Sequence, residues 1–125
     1  MTKKTGNPQS TALLDAIVAG IQEVKGEDIV VLDLRSIENS AADYFVICSG
    51  SSTTQVEAIA RSVEAFTEKK LGEGPFRTEG TRNATWVLQD FADVVVHIFH
   101  KDTRAFYQLE ELWADADIRM IENRA

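Results

Sequence analysis

Residues 44–56 read Tyr44-Phe45-Val46-Ile47-Cys48-Ser49-Gly50-Ser51-Ser52-Thr53-Thr54-Gln55-Val56. The first five are apolar without interruption, as in a strand buried on both faces. Ser49-Gly50-Ser51-Ser52 then ends the strand and opens a helix. Ser52 and Gln55 have the S-x-x-Q spacing of a capping box. Val56, Ile59, Ala60, Val63 and Phe66 form an apolar stripe, with Glu57, Arg61, Glu64 and Glu68 elsewhere on the helix surface. Gly72, Gly74 and Pro75 close it.

Upstream, Ile29-Val30-Val31-Leu32-Asp33-Leu34 is another short, β-branched run. The polar connection at 36–42 is short enough to make it an antiparallel neighbour of the 44–48 strand. Leu13, Leu14, Ile17, Val18 and Ile21 fall at helical spacing, which predicts a helix over about residues 11–24, capped by Ser10 and followed by Gly26. Residues 1–10, with Gly, Asn, Pro and Ser, read as a flexible arm. Downstream, Gly80 and Asn83 are turn residues, and a short edge strand fits before them. Residues 85–89 and 94–99 read as strands joined by a tight connection, most simply a hairpin. Asp102 or Thr103 can cap a last helix carrying Phe106, Tyr107, Leu109, Leu112 and Trp113. On it Phe106, Leu109 and Trp113 make a core stripe, and Arg104, Tyr107 and Glu111 share a second face. Residues 116–125 read as a polar tail. The order predicts one α/β (α+β) domain, a mixed β-sheet with flanking helices.

Composition narrows the function. The chain has 125 residues, 44% apolar and 26% charged, as in an ordinary globular domain that needs no disulfide or metal to fold. A single cysteine, Cys48, excludes an internal disulfide and a four-cysteine zinc site, and favours a reducing, cytoplasmic setting. Thirteen basic residues stand against 20 acidic ones, a net charge of −7. None of the segments 1–50, 51–100 and 101–125 is net basic. Gripping phosphates needs a basic face, so little or no direct nucleic-acid contact is expected, and a basic protein partner suits the chain better. No apolar run approaches the ~20 residues of a membrane span, and the N-terminus lacks the apolar stretch of a signal peptide.

Catalytic chemistry finds little support. The Ser49–Ser52 loop can cradle a phosphate at a helix N-terminus, but neither common phosphate-loop pattern is present. A capped turn explains the same residues. A Gly-Ser opening a helix is similar to nucleotidyltransferases, which need carboxylates two apart on a strand to hold two metal ions. Here the strand reads Trp86-Val87-Leu88-Gln89-Asp90, with Asp93 across the turn, and one carboxylate is too few. A nucleotide-binding or nucleotidyltransferase-type enzyme using the Ser49–Ser52 loop stays as the alternative reading. Cys48, with His97 or His100 as base, can be drawn as a nucleophile; at the end of an apolar strand it reads better as buried and inert. His97 and His100 are too sparse a set for a metal site. His97 faces the opposite side of its strand from Val96 and Ile98. No catalytic residue, cofactor or metal is assigned. Trp86, Tyr107 and Trp113 fit either a core or an interface that uses aromatic anchors.

Asp43-Tyr44-Phe45-Val46-Ile47-Cys48-Ser49-Gly50, the capped helix, Glu79-Gly80, Trp86-Val87-Leu88-Gln89-Asp90, Asp93-Val94-Val95-Val96-His97-Ile98-Phe99 and Arg104-Ala105-Phe106-Tyr107-Gln108-Leu109-Glu110-Glu111-Leu112-Trp113 form an ordered series. It resembles the ribosomal silencing factor (Iojap-related) family over about residues 11–115, which would make that span the family's domain. The resemblance implies a nucleotidyltransferase-like fold without the catalytic carboxylates. It implies a non-enzymatic protein, often a homodimer when free, that binds the large ribosomal subunit. The contact would be a basic ribosomal protein at the inter-subunit face, of the large-subunit protein fourteen family. Steric exclusion of the small subunit would then repress translation. Carried onto this chain, the partner-binding residues are Trp86, Asp90 and His97 on the hairpin, and Arg104, Tyr107, Glu110 and Trp113 around the last helix. Trp86 would be the anchor, Tyr107 a flat amphipathic contact, and Asp90 and Glu110 would face basic partner residues. The chain departs from the family at Gln89, where many members are apolar, and in its tail beyond Trp113.

Overall fold

The strand at the start of the decisive stretch becomes the centre of a six-stranded sheet. The computed structural model describes residues 8–113 and 115–122. Its elements are α1 (Pro8–Glu23), β1 (Glu27–Asp33), β2 (Tyr44–Gly50), α2 (Thr53–Leu71), β3 (Arg77–Glu79), β4 (Trp86–Asp90), β5 (Val94–His100), α3 (Lys101–Tyr107), α4 (Leu109–Leu112) and β6 (Asp117–Ile121). The sheet order is β3-β4-β5-β2-β1-β6. β2 and β5 run parallel, from Tyr44 opposite Val94 to Gly50 opposite His100. Every other pairing is antiparallel, so the sheet is mixed, as expected.

Strand alternation divides the core in two. On one face Val31, Val46, Cys48, Val87, Val94, Val96 and Ile98 pack against Leu13, Leu14, Ile17 and Ile21 of α1 and Val56, Ile59, Ala60 and Val63 of α2. The two helices touch closely: the Ser62 hydroxyl donates to the Gly20 carbonyl at 2.6 Å. A Cβ on Gly20 would lie 3.0 Å from the Val63 Cα. Gln89, the polar departure on β4, is fully buried on this same face and donates its amide to the Ala60 carbonyl of α2 at 3.0 Å. On the other face Val30, Leu32, Ile47 and Phe99 pack with Leu34, Leu109 and Ala116. Here α3, α4 and the turn to β6 are the only helical cover among the described residues.

Five sequence expectations are corrected. Helix α1 starts at Pro8, so residues 8–10 belong to it and not to an arm; residues 1–7 of that arm lie outside the described residues. Ser10 is therefore no cap: it is buried within the helix and donates to Asp93 at 3.3 Å. The last helix is not continuous. Gln108 adopts a left-handed conformation (φ 50°) and splits it into α3 and α4. Its first cap is the His100 ring, whose Nδ1 accepts from the Asp102 N–H, in place of an Asp102 or Thr103 cap. Finally, the segment read as a polar tail adds β6 to the sheet, pairing antiparallel with β1 from Ile29–Ile121 to Asp33–Asp117.

The capping of α2 is nearly as expected. Ser52 Oγ accepts from the Gln55 N–H at 3.0 Å, but the Gln55 side chain reaches back to the N–H of Ser51, at 2.7 Å, one residue earlier than the standard box. The helix ends at Gly72.

Gly80 sets the entry to β4. Its φ is +87°, and a Cβ there would sit 2.0 Å from the Trp86 carbonyl oxygen. Gly80→Ala is expected to lower stability by about 3 kcal/mol, through both the left-handed strain and the backbone collision. Urea unfolding followed by far-UV circular dichroism measures it; a loss under about 0.5 kcal/mol, the ordinary range for a surface change, would show that this turn is not constrained as described.

Candidate functional site

The sheet face away from α1 and α2 carries a run of rings that its cover only partly hides. Trp86 leads β4, with Leu88 and Asp90 on the same face and all three half-buried. On β5 the neighbours on that face are Val95, His97 and Phe99, and on β2 Phe45 and Ile47. The Trp86 ring lies 4.8 Å from Phe99 and 5.0 Å from Tyr107 of α3. Tyr107 meets Phe106 edge-on at 5.1 Å, and these two are 51% and 80% exposed. Phe45 meets His97 at 4.8 Å and Trp113 edge-on at 5.5 Å. Such offset and edge-to-face pairs are the favoured aromatic geometries. Beside Trp86 a cleft of about 350 Å³ opens, lined by Thr85, Trp86, Asp102, Thr103, Phe106 and Tyr107.

His97 lies beneath the rings. It is 5% exposed, and its Nδ1 accepts from the Trp86 indole N–H at 3.1 Å. Burial lowers its pKa from 6.5 to about 4, so at neutral pH it is an uncharged acceptor.

Arg104 ties the cover to the sheet. Its guanidinium donates to the Glu110 carboxylate at 2.8 and 3.1 Å, to the Ser49 hydroxyl at 2.9 Å and to the Asp28 carbonyl at 2.6 Å. One side chain thus joins α3 and α4 to the ends of β1 and β2. Its planar fork is what permits several partners at once.

Of the seven residues suggested by the sequence, the structure brings Trp86, His97 and Tyr107 into one cluster, which reaches Trp113 through Phe45. Arg104 and Glu110 pair with each other beside it, largely shielded at 12% and 28% side-chain exposure. Asp90 is at the far end of β4, about 13 Å along the strand from Trp86. There its carboxylate accepts from the Ala92 N–H and lies 3.7 Å from Arg77. Sequence reasoning missed Phe106, which it placed in a core stripe, and the half-buried apolar floor of Leu88, Val95 and Phe45. Alternation along β4 and β5 was the available signal for the floor.

The alternative loop is internally committed. Ser49 is buried and bonds Arg104, the Ser51 N–H donates to Gln55, and Ser52 caps α2. Cys48 is fully buried, and burial pushes its thiol up to about 12, far from a thiolate nucleophile at neutral pH. Among the described residues no group of three or more His, Cys, Asp or Glu side chains is placed to hold a metal ion, and no helix is long and apolar enough to cross a membrane.

Solved structures place this architecture in a known class of α+β proteins. One from Chromobacterium violaceum superposes with a TM-score of 0.77 at 31% identity, covering 83% of this chain and 85% of that one. Another, from Bacillus halodurans, gives 0.74 at 40% identity, covering 90% and 98%. A family model described as ribosomal silencing factor during starvation matches residues 7–125. The ribosomal silencing factor RsfS of Bacillus subtilis (strain 168) is 44% identical over 107 residues, 86% of this chain and 89% of that protein. The mouse protein named mitochondrial assembly of ribosomal large subunit protein 1 is 32% identical, over 80% of this chain and 44% of its own length. The chain belongs to the RsfS family of ribosomal silencing factors.

Two outcomes follow from the geometry. Because the fold lowers the His97 pKa, the unfolded chain binds more protons between pH 6.5 and about 4. Stability is full above pH 6.5 and falls as the pH drops through that window, by about 3 kcal/mol for this one group. Urea midpoints of wild type and His97→Asn across the window test it: the variant's curve should be flatter by that amount, and parallel curves would contradict a buried neutral imidazole. Arg104→Ala should cost about 2–3 kcal/mol, since it strands the Glu110 carboxylate and the buried Ser49 hydroxyl. Arg104→Lys should recover only part of it. Full recovery in thermal melts would show that charge alone, without the fork, holds the cover.

Proposed function

We propose that the protein binds the large ribosomal subunit through the ring-lined sheet face, docking on a basic ribosomal protein at the inter-subunit surface, and blocks joining of the small subunit. Translation is thereby repressed without any covalent step. The observation that carries the docking face is the exposure of Phe106 and Tyr107 next to Trp86 on a rigid sheet floor. Half-exposed aromatics over a packed base are the usual anchors of protein interfaces.

Three further facts support the reading. Family membership ties the chain to ribosome silencing, and the mouse relative's name points to the large subunit. The net charge of −7 suits a basic protein surface and disfavours direct contact with RNA phosphates. Beside the rings, exposed Asp102 supplies an acidic edge to the cleft, while the Asp90–Arg77–Glu79 group lies at the far end of β4. Glu110 contributes less to that edge, because it already pairs with Arg104. Steric exclusion needs only bulk at the right place, which a 13.9 kDa domain provides. The action is assigned to the cytoplasm, with no cofactor.

Light scattering during subunit joining tests the proposal. Large subunits are preincubated with the protein and mixed with small subunits. The joining signal should fall with dose and vanish near one protein per large subunit; unchanged joining at saturation would overturn the role. Trp86→Ala and Phe106→Ala should each weaken binding by roughly tenfold or more, the effect of removing an interface anchor. Asp90→Ala, remote from the rings, should change it only a few-fold. Folded Trp86→Ala with wild-type affinity would place the footprint elsewhere.

A further inference from the structure

We propose that His97 is a positioning residue of the docking face: it holds the Trp86 indole in the pose the partner meets and does not touch the partner itself. The proposal rests on the docking reading above and assigns one of its residues a different task. At 5% exposure and walled by Phe45, Phe99 and Trp86, the imidazole is out of a partner's reach. The ring it bonds is not so enclosed, because Trp86 is only partly buried.

Strand register explains the pairing. Phe99 lies opposite Trp86 and Leu88 opposite His97, so the bond runs diagonally between strands, where only long side chains meet. Stacking on Phe99 and Tyr107 constrains the plane of the indole. It does not choose which ring edge faces inward, because the torsion that flips the ring is soft. The indole has a single polar atom, a donor. The Nδ1 acceptor at 3.1 Å selects the orientation that buries this N–H and turns the carbon edge outward.

The cost of the histidine strengthens the case. With Nδ1 accepting, the proton is on Nε2. That nitrogen is buried and has no hydrogen-bond partner in the structure. An apolar side chain would fill the same space with no orphaned donor. What histidine adds here is the acceptor, and the acceptor's partner is Trp86.

A double-mutant cycle tests the proposal, reading affinity for purified large subunits. His97→Leu removes the acceptor. His97→Asn places a carboxamide oxygen near the Nδ1 position. Trp86→Phe removes the donor but keeps a ring. His97→Leu should weaken binding roughly five- to tenfold, His97→Asn should stay within about twofold, and His97→Leu should add less than twofold in the Trp86→Phe background. The Trp86 indole proton should move upfield in nitrogen-correlated NMR spectra of His97→Leu and stay in place in His97→Asn, with Trp113 as the internal reference. If His97→Leu does not fold, His97→Gln, whose amide falls nearer the Nε2 site, takes its place. Losses that multiply in the double variant, or wild-type affinity in His97→Leu, would overturn the positioning role. Wild-type protein that fails to bind at all would overturn the docking reading and this proposal with it.

Discussion

The parallel seam between β2 and β5 constrains everything else. Seven residue pairs, from Tyr44–Val94 to Gly50–His100, run side by side at the centre of the sheet. A parallel pair needs a crossover, and here the crossover contains α2, β3 and β4. The crossover helix packs on one face of the sheet, and α1 packs beside it on the same face. Both long helices are thereby used on one side. Among the described residues, the opposite face is covered by Leu34 and Ile37 of the β1–β2 connection and, after β5, by two short helices and a turn.

That shortage explains the character of the site. Four of the seven residues of β5 are fully buried, and Val95, His97 and Phe99 face the under-covered side. A cover of seven plus four helical residues cannot seal a six-stranded face. It closes over β1 and β2 through Leu109 and Ala116, where Arg104 bonds it to the strand ends. Over β4 it leaves aromatics in place of a seal. Rings suit such a margin because each combines a large apolar area with few rotatable bonds, so little entropy is lost when a partner arrives.

Legibility in the sequence followed the length and regularity of each pattern. α1, β1, β2, α2 and the β4–β5 hairpin were readable because each carries a sustained apolar pattern, and α1, β2 and α2 also end at or near a glycine. The break at Gln108 was not, since a left-handed glutamine carries no turn signature of the kind Gly or Asn provides. Missing that break made Phe106 look like a core residue, because Phe106, Leu109 and Trp113 align only on an unbroken helix. β6 was hidden for a different reason: an edge strand buries little, and four of its five residues are exposed, so its composition resembles a tail. The face of His97 was visible from its alternation with Val96 and Ile98. Its bond to Trp86 depends on the register of two strands eleven residues apart in sequence, which no local pattern encodes.

The same contrast separates a docking surface from a reactive one. Reactive groups are held partly exposed, with pKa values drawn toward the working pH. The groups here that resemble them are treated in the opposite way. Cys48 is fully buried with its thiol pushed up, and His97 is buried with its imidazole pushed down, so each is uncharged at neutral pH. The exposed residues are instead Phe106 and Tyr107, beside a half-exposed Trp86 whose plane and polar atom are both constrained from below. In the docking reading proposed above, uncharged rings on a packed floor reduce the ordering a partner must impose, and that saving is where a small interface gains affinity.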